Sequence, residues 1–437
     1  MTGIGLSFTL VTACLFFMVP RRWSLLPLLI GVAYVPFGQE IEIGPLHFTA
    51  LRILTTVGFV RVLSKGERVA GGLVLLDKLM VLWGVWLVCS SIFHEDSVLI
   101  TRLGVVFDDL GVYFLFRIYL RESEDIRNVF KIVCVLFVPL AVMMLFEEAT
   151  GKNYFGVFFG GWTESLLRNG RFRAQGPFEH PILAGTVGAV CFPMALNLWR
   201  QERRLALVGL LATGGVIVAS ASSGPIMTLF SILGAMAIWK IRSYLRMICW
   251  LGVIVIVILN FVMQDPVYFL IARIDLAGGS TGWYRAQLIR SAIEHFDEWW
   301  LAGTDFTRNW MHVKVSKEHT DITNHYIQMG VWGGMPLMLM FVAVLSAGFA
   351  AVGRGLRANR EASPGDQFII WTLGCILFGH VTTFLSVSYF DQSIVFLYLV
   401  LASIGSIDAV RMVMTPVINV NASWSSPEYE PNLGNNC

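Results

Sequence analysis

The chain is predicted to be an all-α, polytopic membrane helical bundle of about 12–14 transmembrane helices, with two long outer loops forming its functional face. Three observations predict this. Apolar residues make up 56% of the 437 residues and charged residues only 14%, with a mean hydropathy of +0.67, far from the composition of a soluble domain. Apolar runs of about 16–20 residues recur along the whole length, each able to cross about 30 Å of hydrocarbon as a helix. Lys and Arg are nearly absent from these runs and sort by connection, as the positive-inside bias of membrane proteins requires.

In chain order the runs fall near 2–19, 23–38, 46–63, 74–93, 103–119, 129–146, 182–199, 205–221, 223–239, 247–263, 326–350, 367–386 and 392–410. The first has neither a basic leader nor a small-residue cleavage site, so it reads as a retained helix. Alternate connections carry Arg21/Arg22, Lys65/Arg68, Arg121/Arg127, Arg200/Arg203/Arg204, Lys240/Arg242/Arg246 and Arg354/Arg357/Arg360. Those connections are expected inside, which puts the amino terminus outside and the carboxyl terminus inside. The opposite connections near 39–46, 221–224 and 387–392 hold no Lys or Arg. One membrane domain, 1–414, is expected to include outer loops 147–181 and 264–324, followed by a polar, disordered tail at 415–437.

The net charge of +2 is dispersed along loop edges, which argues against a nucleic-acid partner. The seven cysteines lie mostly inside apolar runs, at no metal-ligand or redox spacing, and read as small buried hydrophobes. No phosphate-binding Walker loop, dinucleotide fingerprint, nucleophile elbow or HExxH motif occurs. No cofactor and no metal are expected. An enzyme with these residues must neutralise an anionic leaving group with arginine.

The two long loops break the charge bias with Arg168, Arg171, Arg173, Arg273, Arg285, Arg290 and Arg308. Three arginines within residues 168–173, interleaved with glycine and followed by His180-Pro181, could clamp a phosphate through forked donors. Contact with lipid headgroups or with Glu147, Glu148 and Glu164 is the alternative. Arg285 and Arg290 only partly share a helix face, and either could meet a lipid phosphate. The nearby aromatics Trp283, Tyr284, Phe296, Trp299 and Trp300 suit the headgroup level. Segment 312–326 gathers His312, His319, Asp321, Asn324 and His325 before an apolar run. A histidine there could serve as a general base; gaps of 7 and 6 residues are not a helical metal-ligand spacing. Within the apolar runs, Arg52, Asp108/Asp109 and His380 are costly groups that either face a cavity or pair with one another.

The run Arg173–Pro181, the segment SASSGPIMTLF at 220–230, Arg285 with Leu301-Ala-Gly303, and Asn324-His325-Tyr326 ahead of Gly330-Val-Trp-Gly333-Gly334 occur in this order. Together they resemble the O-antigen ligase/polymerase superfamily of bacterial envelope glycosyltransferases, over roughly residues 100–350. That resemblance implies an all-helical enzyme of the bacterial inner membrane with its site on the outer face. The donor would be a polyprenyl-diphosphate-linked glycan and the acceptor a glycan or glycolipid. It also implies a diphosphate held by Arg173 and Arg285, with Arg171, Arg52 or Arg290 in support and His180, Asn324 and Tyr326 nearby. The base would be His325, favoured for its place at a helix start, or His319, which lies eleven residues before Gly330. Where such proteins often have Ser-Arg, this chain has Ser223-Gly224. Ligase and polymerase remain alternatives, and the oligomeric state is open. The rival class is a transporter or flippase of lipid-linked oligosaccharide, worked by Arg52, Asp108, Asp109 and His380.

Overall fold

The computed structural model describes residues 1–44, 46–273, 282–312, 319–361 and 363–414. The expected disordered tail at 415–437 lies outside the described residues, as do 274–281 and 313–318 of the second long loop. Each of the thirteen apolar runs contains a helix. The chain opens with α1 (Gly3–Met18) and α2 (Leu26–Tyr34), then a hairpin of β1 (Glu40–Ile43) and β2 (Leu46–Thr49) in antiparallel register. Helices α3 (Ala50–Lys65), α4 (Leu75–Cys89), α5 (Asp96–Tyr119) and α6 (Ser123–Thr150) follow. The first long loop holds α7 (Tyr154–Phe159) and a second hairpin, β3 (Leu166–Arg168) with β4 (Arg171–Arg173). Next come α8 (Pro181–Asn197), α9 (Arg203–Ala219), α10 (Ser223–Ala237) and α11 (Leu245–Val262). The second long loop holds α12 (Gly282–Glu294) and α13 (Phe296–Trp299), and α14 (His325–Ala358), α15 (Pro364–Thr383) and α16 (Ile394–Met414) complete the bundle.

Among the described residues, five helical segments are long and apolar enough to cross a membrane: Leu75–Phe93, Ser123–Thr150, Pro181–Arg200, Ser223–Val262 and His325–Ala358. This is fewer than the sequence count, and the reasons are local. Thr49 caps α3 and the hairpin takes residues 46–49 from the third apolar run, leaving 16 helical residues. Helix α9 stops at 17 residues, where the chain turns sharply through Ser220 to Ser222. Helix α5 has the length, at 24 residues, but carries Arg102, Asp108, Asp109 and Arg117. The runs near 223–239 and 247–263 join into the single segment Ser223–Val262, whose second half, α11, buries none of its residues.

Small residues let the central helices approach closely, as in other apolar bundles. A methyl group at Gly185 of α8 would collide with Ser220 Oγ, and one at Gly209 of α9 would strike Cys134 Sγ of α6. Tight contact of α8 with α9 matters for function, because it fixes the start of α8 and the α9–α10 turn against each other.

The charges inside the bundle are paired. Arg117 and Asp77 are both fully buried, and their fork geometry is bidentate, with Nε–Oδ1 at 2.8 Å and Nη2–Oδ2 at 3.0 Å. Tyr113 donates to Asp77 Oδ1 at 2.5 Å, Val74 N donates to Oδ2 at 2.8 Å, and Arg117 Nη1 donates to Ser406 Oγ at 2.9 Å. One carboxylate thereby joins α4, α5 and α16. Removing one partner of such a pair strands the other in low dielectric. Asp77→Ala should therefore destabilise the protein by about 3–5 kcal/mol, while Asp77→Leu combined with Arg117→Met should recover most of that loss. Thermal unfolding of the purified protein in detergent checks both outcomes.

Candidate functional site

The first long loop is held by a buried carboxylate. Glu147, on the last turns of α6, accepts from Gln175 N at 3.0 Å, Gly176 N at 2.9 Å and Ser165 Oγ at 3.0 Å, and is 1% exposed. The sequence reading placed Glu147 and Glu148 in the loop, but both belong to α6, which runs to Thr150. Gly176 takes a positive φ of 59° and packs on Met144. Asn153 donates to Gly176 O at 2.8 Å, and Ala174 N donates to Ala219 O at 2.9 Å. Segment 173–178 is thus drawn into the bundle.

Arg173 is carried in with it and is 6% exposed. Its Nη2 donates to Ser222 Oγ at 2.6 Å, and its buried Nε has no partner. Arg285 of α12 reaches the same place and also has a buried Nε without a partner. A cavity of about 230 Å³ is bordered by Arg168, Arg171, Arg173, Arg285, Ser222, Ser223 and Gly224. Among the described residues no carboxylate forms an ion pair with Arg168, Arg173 or Arg285. Their charges are mutually unfavourable. Burial first and the Arg168 charge second bring the Arg173 guanidinium down to about 10. Burial and Arg168 lower Arg285 likewise, against the opposing pull of Asp321. Such an arrangement stores repulsion that a multivalent anion relieves.

His180 caps α8: its Nδ1 accepts from Ile182 N at 3.1 Å. Burial, Arg173 and Arg168 push the imidazole down to about 4, so at neutral pH it is uncharged with its proton on Nε2. Arg52, Arg171 and Arg290, also named from sequence, have partners of their own. Arg52 forks onto Asp108 at 3.1 and 2.6 Å. Arg171 borders the cavity but pairs with Glu148 at 2.7 Å. Arg290 lies 4.7 Å over the Phe269 ring. Arg168, marked from sequence only as one of a run, joins Arg173 and Arg285 instead, because the β3–β4 hairpin aligns it opposite Arg171 at the tip.

A second cavity, about 240 Å³, shares Ser223, Gly224 and Arg285 with the first. Its other walls are Met227, Thr228 and Ser231 of α10, Ile271, and Thr382, Thr383, Leu385 and Ser386 at the end of α15. Gly224, on the wall shared by the two cavities, adds no side chain to either.

The segment before α14 borders a third cavity of about 450 Å³, with Arg102, Asp305, His319, Asp321 and Gln328 among its lining groups. Burial raises the Asp321 carboxyl, and the Arg285 charge on the wall of the arginine pocket opposes that rise. Asp305 is held by His94 Nδ1 at 2.6 Å and by Glu95 N at 3.2 Å. His325, favoured from sequence for its place at a helix start, is 3% exposed and packed among Phe341, Phe384 and Tyr389. Its Nδ1 accepts from Tyr389 N and lies 3.3 Å from Ser388 Oγ. Asn324 caps α14 through Tyr326 N and Ile327 N, and Tyr326 donates to Val381 O at 3.0 Å. Those three residues dock the end of α15 onto α14. His380 is buried beside them, its Nδ1 2.9 Å from Tyr389 Oη. His312 is exposed and borders a separate cleft.

The glycine cluster expected at the entry of α14 lies within it and breaks it. Gly333 and Gly334 leave helical geometry, the latter at φ 76°. The freed groups are taken up from outside the helix: Trp86 Nε1 donates to Gly333 O at 2.8 Å, and Met335 N to Trp300 O at 2.8 Å. Thr304 N donates to Val331 O at 3.0 Å, which ties the loop carrying Asp305 to α14. Trp299, expected at headgroup level, is 5% exposed and donates to Ala292 O at 2.8 Å, whereas Trp283, Phe296 and Trp300 are exposed.

Comparisons with protein-family models and with curated proteins return no match to this chain. The three unpaired arginines lead to a direct expectation. Inorganic pyrophosphate should stabilise the purified protein, by about 2.7 kcal/mol at a hundred times its Kd. Arg173→Ala or Arg285→Ala should abolish that shift in thermal unfolding, and Arg52→Ala should leave its size unchanged.

Proposed function

We propose that the protein is a metal-independent membrane glycosyltransferase that moves or polymerises a glycan from a polyprenyl-diphosphate donor onto a sugar hydroxyl. The observation that carries this reading is the junction of the first two cavities. A pocket of arginines without carboxylate partners shares Ser223, Gly224 and Arg285 with one walled by apolar and hydroxyl side chains. The ligand such a pair fits has a multivalent anionic head and a hydrophobic tail. A lipid diphosphate has both.

The bilayer placement is part of the proposal. Large apolar side chains stand exposed along α1, α3, α4, α6, α9 and α11, including Val11, Leu63, Val85, Val142, Leu211 and Phe261. In water such a belt would drive association; in hydrocarbon it is the ordinary surface. The cations at the end of the bundle away from the arginine pocket, with pairs such as Arg127–Asp366 and Lys131–Glu202, then lie inside the cell. The arginine pocket faces out from the bacterial inner membrane.

In the reaction, an acceptor hydroxyl in the third cavity attacks the anomeric carbon of the donor sugar. The bond from that carbon to the diphosphate oxygen breaks, and the polyprenyl diphosphate leaves with the electron pair. In-line displacement inverts the anomeric centre. Arg168, Arg173 and Arg285 stabilise the charge that develops on the leaving group, the largest contribution in most such sites. His319 accepts the hydroxyl proton; it borders the cavity, which His325 does not. Asp321 lines the same cavity as His319. The groups a transporter would use are committed to fixed contacts: Arg52 to Asp108, Asp109 to Tyr398, and His380 to Tyr389. Those contacts favour transfer over transport.

Two measurements test the reading. In intact spheroplasts of a cysteine-free background, Thr163→Cys should react with an impermeant thiol reagent and Arg204→Cys should not; the reverse pattern would overturn the orientation. In a transfer assay with a polyprenyl-diphosphate glycan, acceptor and EDTA, Arg173→Ala and Arg285→Ala should each lose about a hundredfold in rate, some 3 kcal/mol. His319→Ala should lose about 10² to 10⁴ with donor binding intact. Wild-type levels of transfer in His319→Ala would remove the base, and passage of intact donor without transfer would favour a flippase.

A further inference from the structure

A fourth cavity, about 550 Å³, lies on the far side of α12 from the arginine pocket. Trp283, Tyr284, Gln287 and Ser291 of α12 form one wall, and Arg308 to His312 form the other. Trp283, Gln287 and Ser291 recur every four residues and so share a helix face. Arg285 leaves the helix roughly 200° round from Trp283. One helix therefore presents a cation to the anion pocket and an aromatic face to this cleft.

The cleft is built rather than incidental. Trp310 is 4% exposed, its Nε1 donates to Glu298 Oε2 at 3.0 Å, and its ring stacks with His295 at 5.7 Å. Ser291 Oγ donates to Trp310 O at 2.9 Å and ties the two walls together. Tyr284 donates to Asp321 O at 2.8 Å, which links the cleft to the segment carrying His319. Trp283, in contrast, is 61% exposed. Around these rings the side chains of Gln287, Arg308 and Asn309 form no hydrogen bond or ion pair among the described residues.

We infer that this cleft binds carbohydrate, holding sugar units of a glycan whose reducing end sits in the arginine pocket. The inference rests on the proposed transferase reading for the glycan's origin. Its chemistry stands on the cleft alone. Sugar rings offer apolar C–H faces that pack on indole and phenol rings, and hydroxyls that take amide and guanidinium hydrogen bonds. A rigid aromatic floor with unspent amide donors and acceptors meets both demands. A headgroup belt would need aromatic rings on an open rim, whereas these border a concavity together with neutral amides. The span across a helix is about 10–12 Å, so a chain of a few sugars leaving the diphosphate could round α12 and enter the cleft.

The test uses the full-length protein in nanodiscs. The probe is the oligosaccharide released by mild acid from the polyprenyl-diphosphate pool of the source cells, which lacks the lipid and its phosphates. Isothermal titration and saturation-transfer NMR should detect binding, with transfer from tryptophan. Trp283→Ala and Asn309→Ala should each weaken it about tenfold or more, equivalent to 1.4 kcal/mol, with Trp283→Phe retaining most affinity. Arg173→Ala should bind this free glycan as the wild type does while losing pyrophosphate. Trp283-dependent binding without any transferase activity would keep the cleft and discard the enzyme reading. Transferase activity with no binding of the free glycan, or with equal binding by Trp283→Ala, would overturn the cleft. Quenching of Trp283 by brominated lipid, with glycan affinity unchanged in Trp283→Ala, would assign the ring to the headgroup layer and overturn it as well.

Discussion

An unpaired charge in a low-dielectric interior is among the most expensive things a fold can contain, and the structure is organised around that cost. Arg117 meets Asp77, Arg52 meets Asp108 and Arg354 meets Asp408, each through a fork of two nitrogens. These pairs stitch α3, α4, α5, α14 and α16 into one body. Arg168, Arg173 and Arg285 stand against that pattern. They converge on one cavity and have no carboxylate partner among the described residues. Arg102, buried on α5, also lacks an ion-pair partner but is held by Leu87 O and Ser90 Oγ, so what sets the three arginines apart is their convergence on one cavity.

Holding like charges together requires rigid support, and it comes from contacts that do not involve the arginines' own charges. Glu147 anchors the backbone at Gln175 and Gly176 without reaching the arginines. Close packing of α8 on α9 sets Ser220 and Ser222 where Arg173 needs a hydroxyl partner. The break in α14 works the same way at the other side of the site. Its freed backbone groups receive Trp86 and the 300–304 segment, which brings Asp305 beside the cavity shared by His319 and Asp321. Backbone groups left open by glycine are thus used to dock the second long loop onto the bundle.

The helices themselves were legible, because periodic apolar runs and their polar punctuation are local properties. Their lengths were less so: Thr49 and the Ser220–Ser222 turn end helices inside runs that hydropathy treats as continuous. In the site, Arg173 and Arg285 stood out by charge placed against the orientation bias. The roles of Arg52, Arg171 and Arg290 did not, since their partners Asp108, Glu148 and Phe269 lie 56, 23 and 21 residues away. The spacing of His319 to Gly330 was a usable signal for the residue that borders the cavity. The helix-start position that favoured His325 leads instead into an aromatic cluster, because the loop after α15 folds over it.

The amino-acid sequence by itself determined an all-helical, apolar bundle, the face on which its basic loops gather, and the residue types available there. Only the tertiary structure decided which arginines are free and which are spent. It also decided which histidine borders a cavity, and that an apolar pocket adjoins the cationic one. The physical reason is that hydropathy and charge bias act along the chain, over a helix length or less. Pairing, burial and cavity walls are made by residues brought together from distant helices, and a charge is free only if every neighbour in space leaves it so.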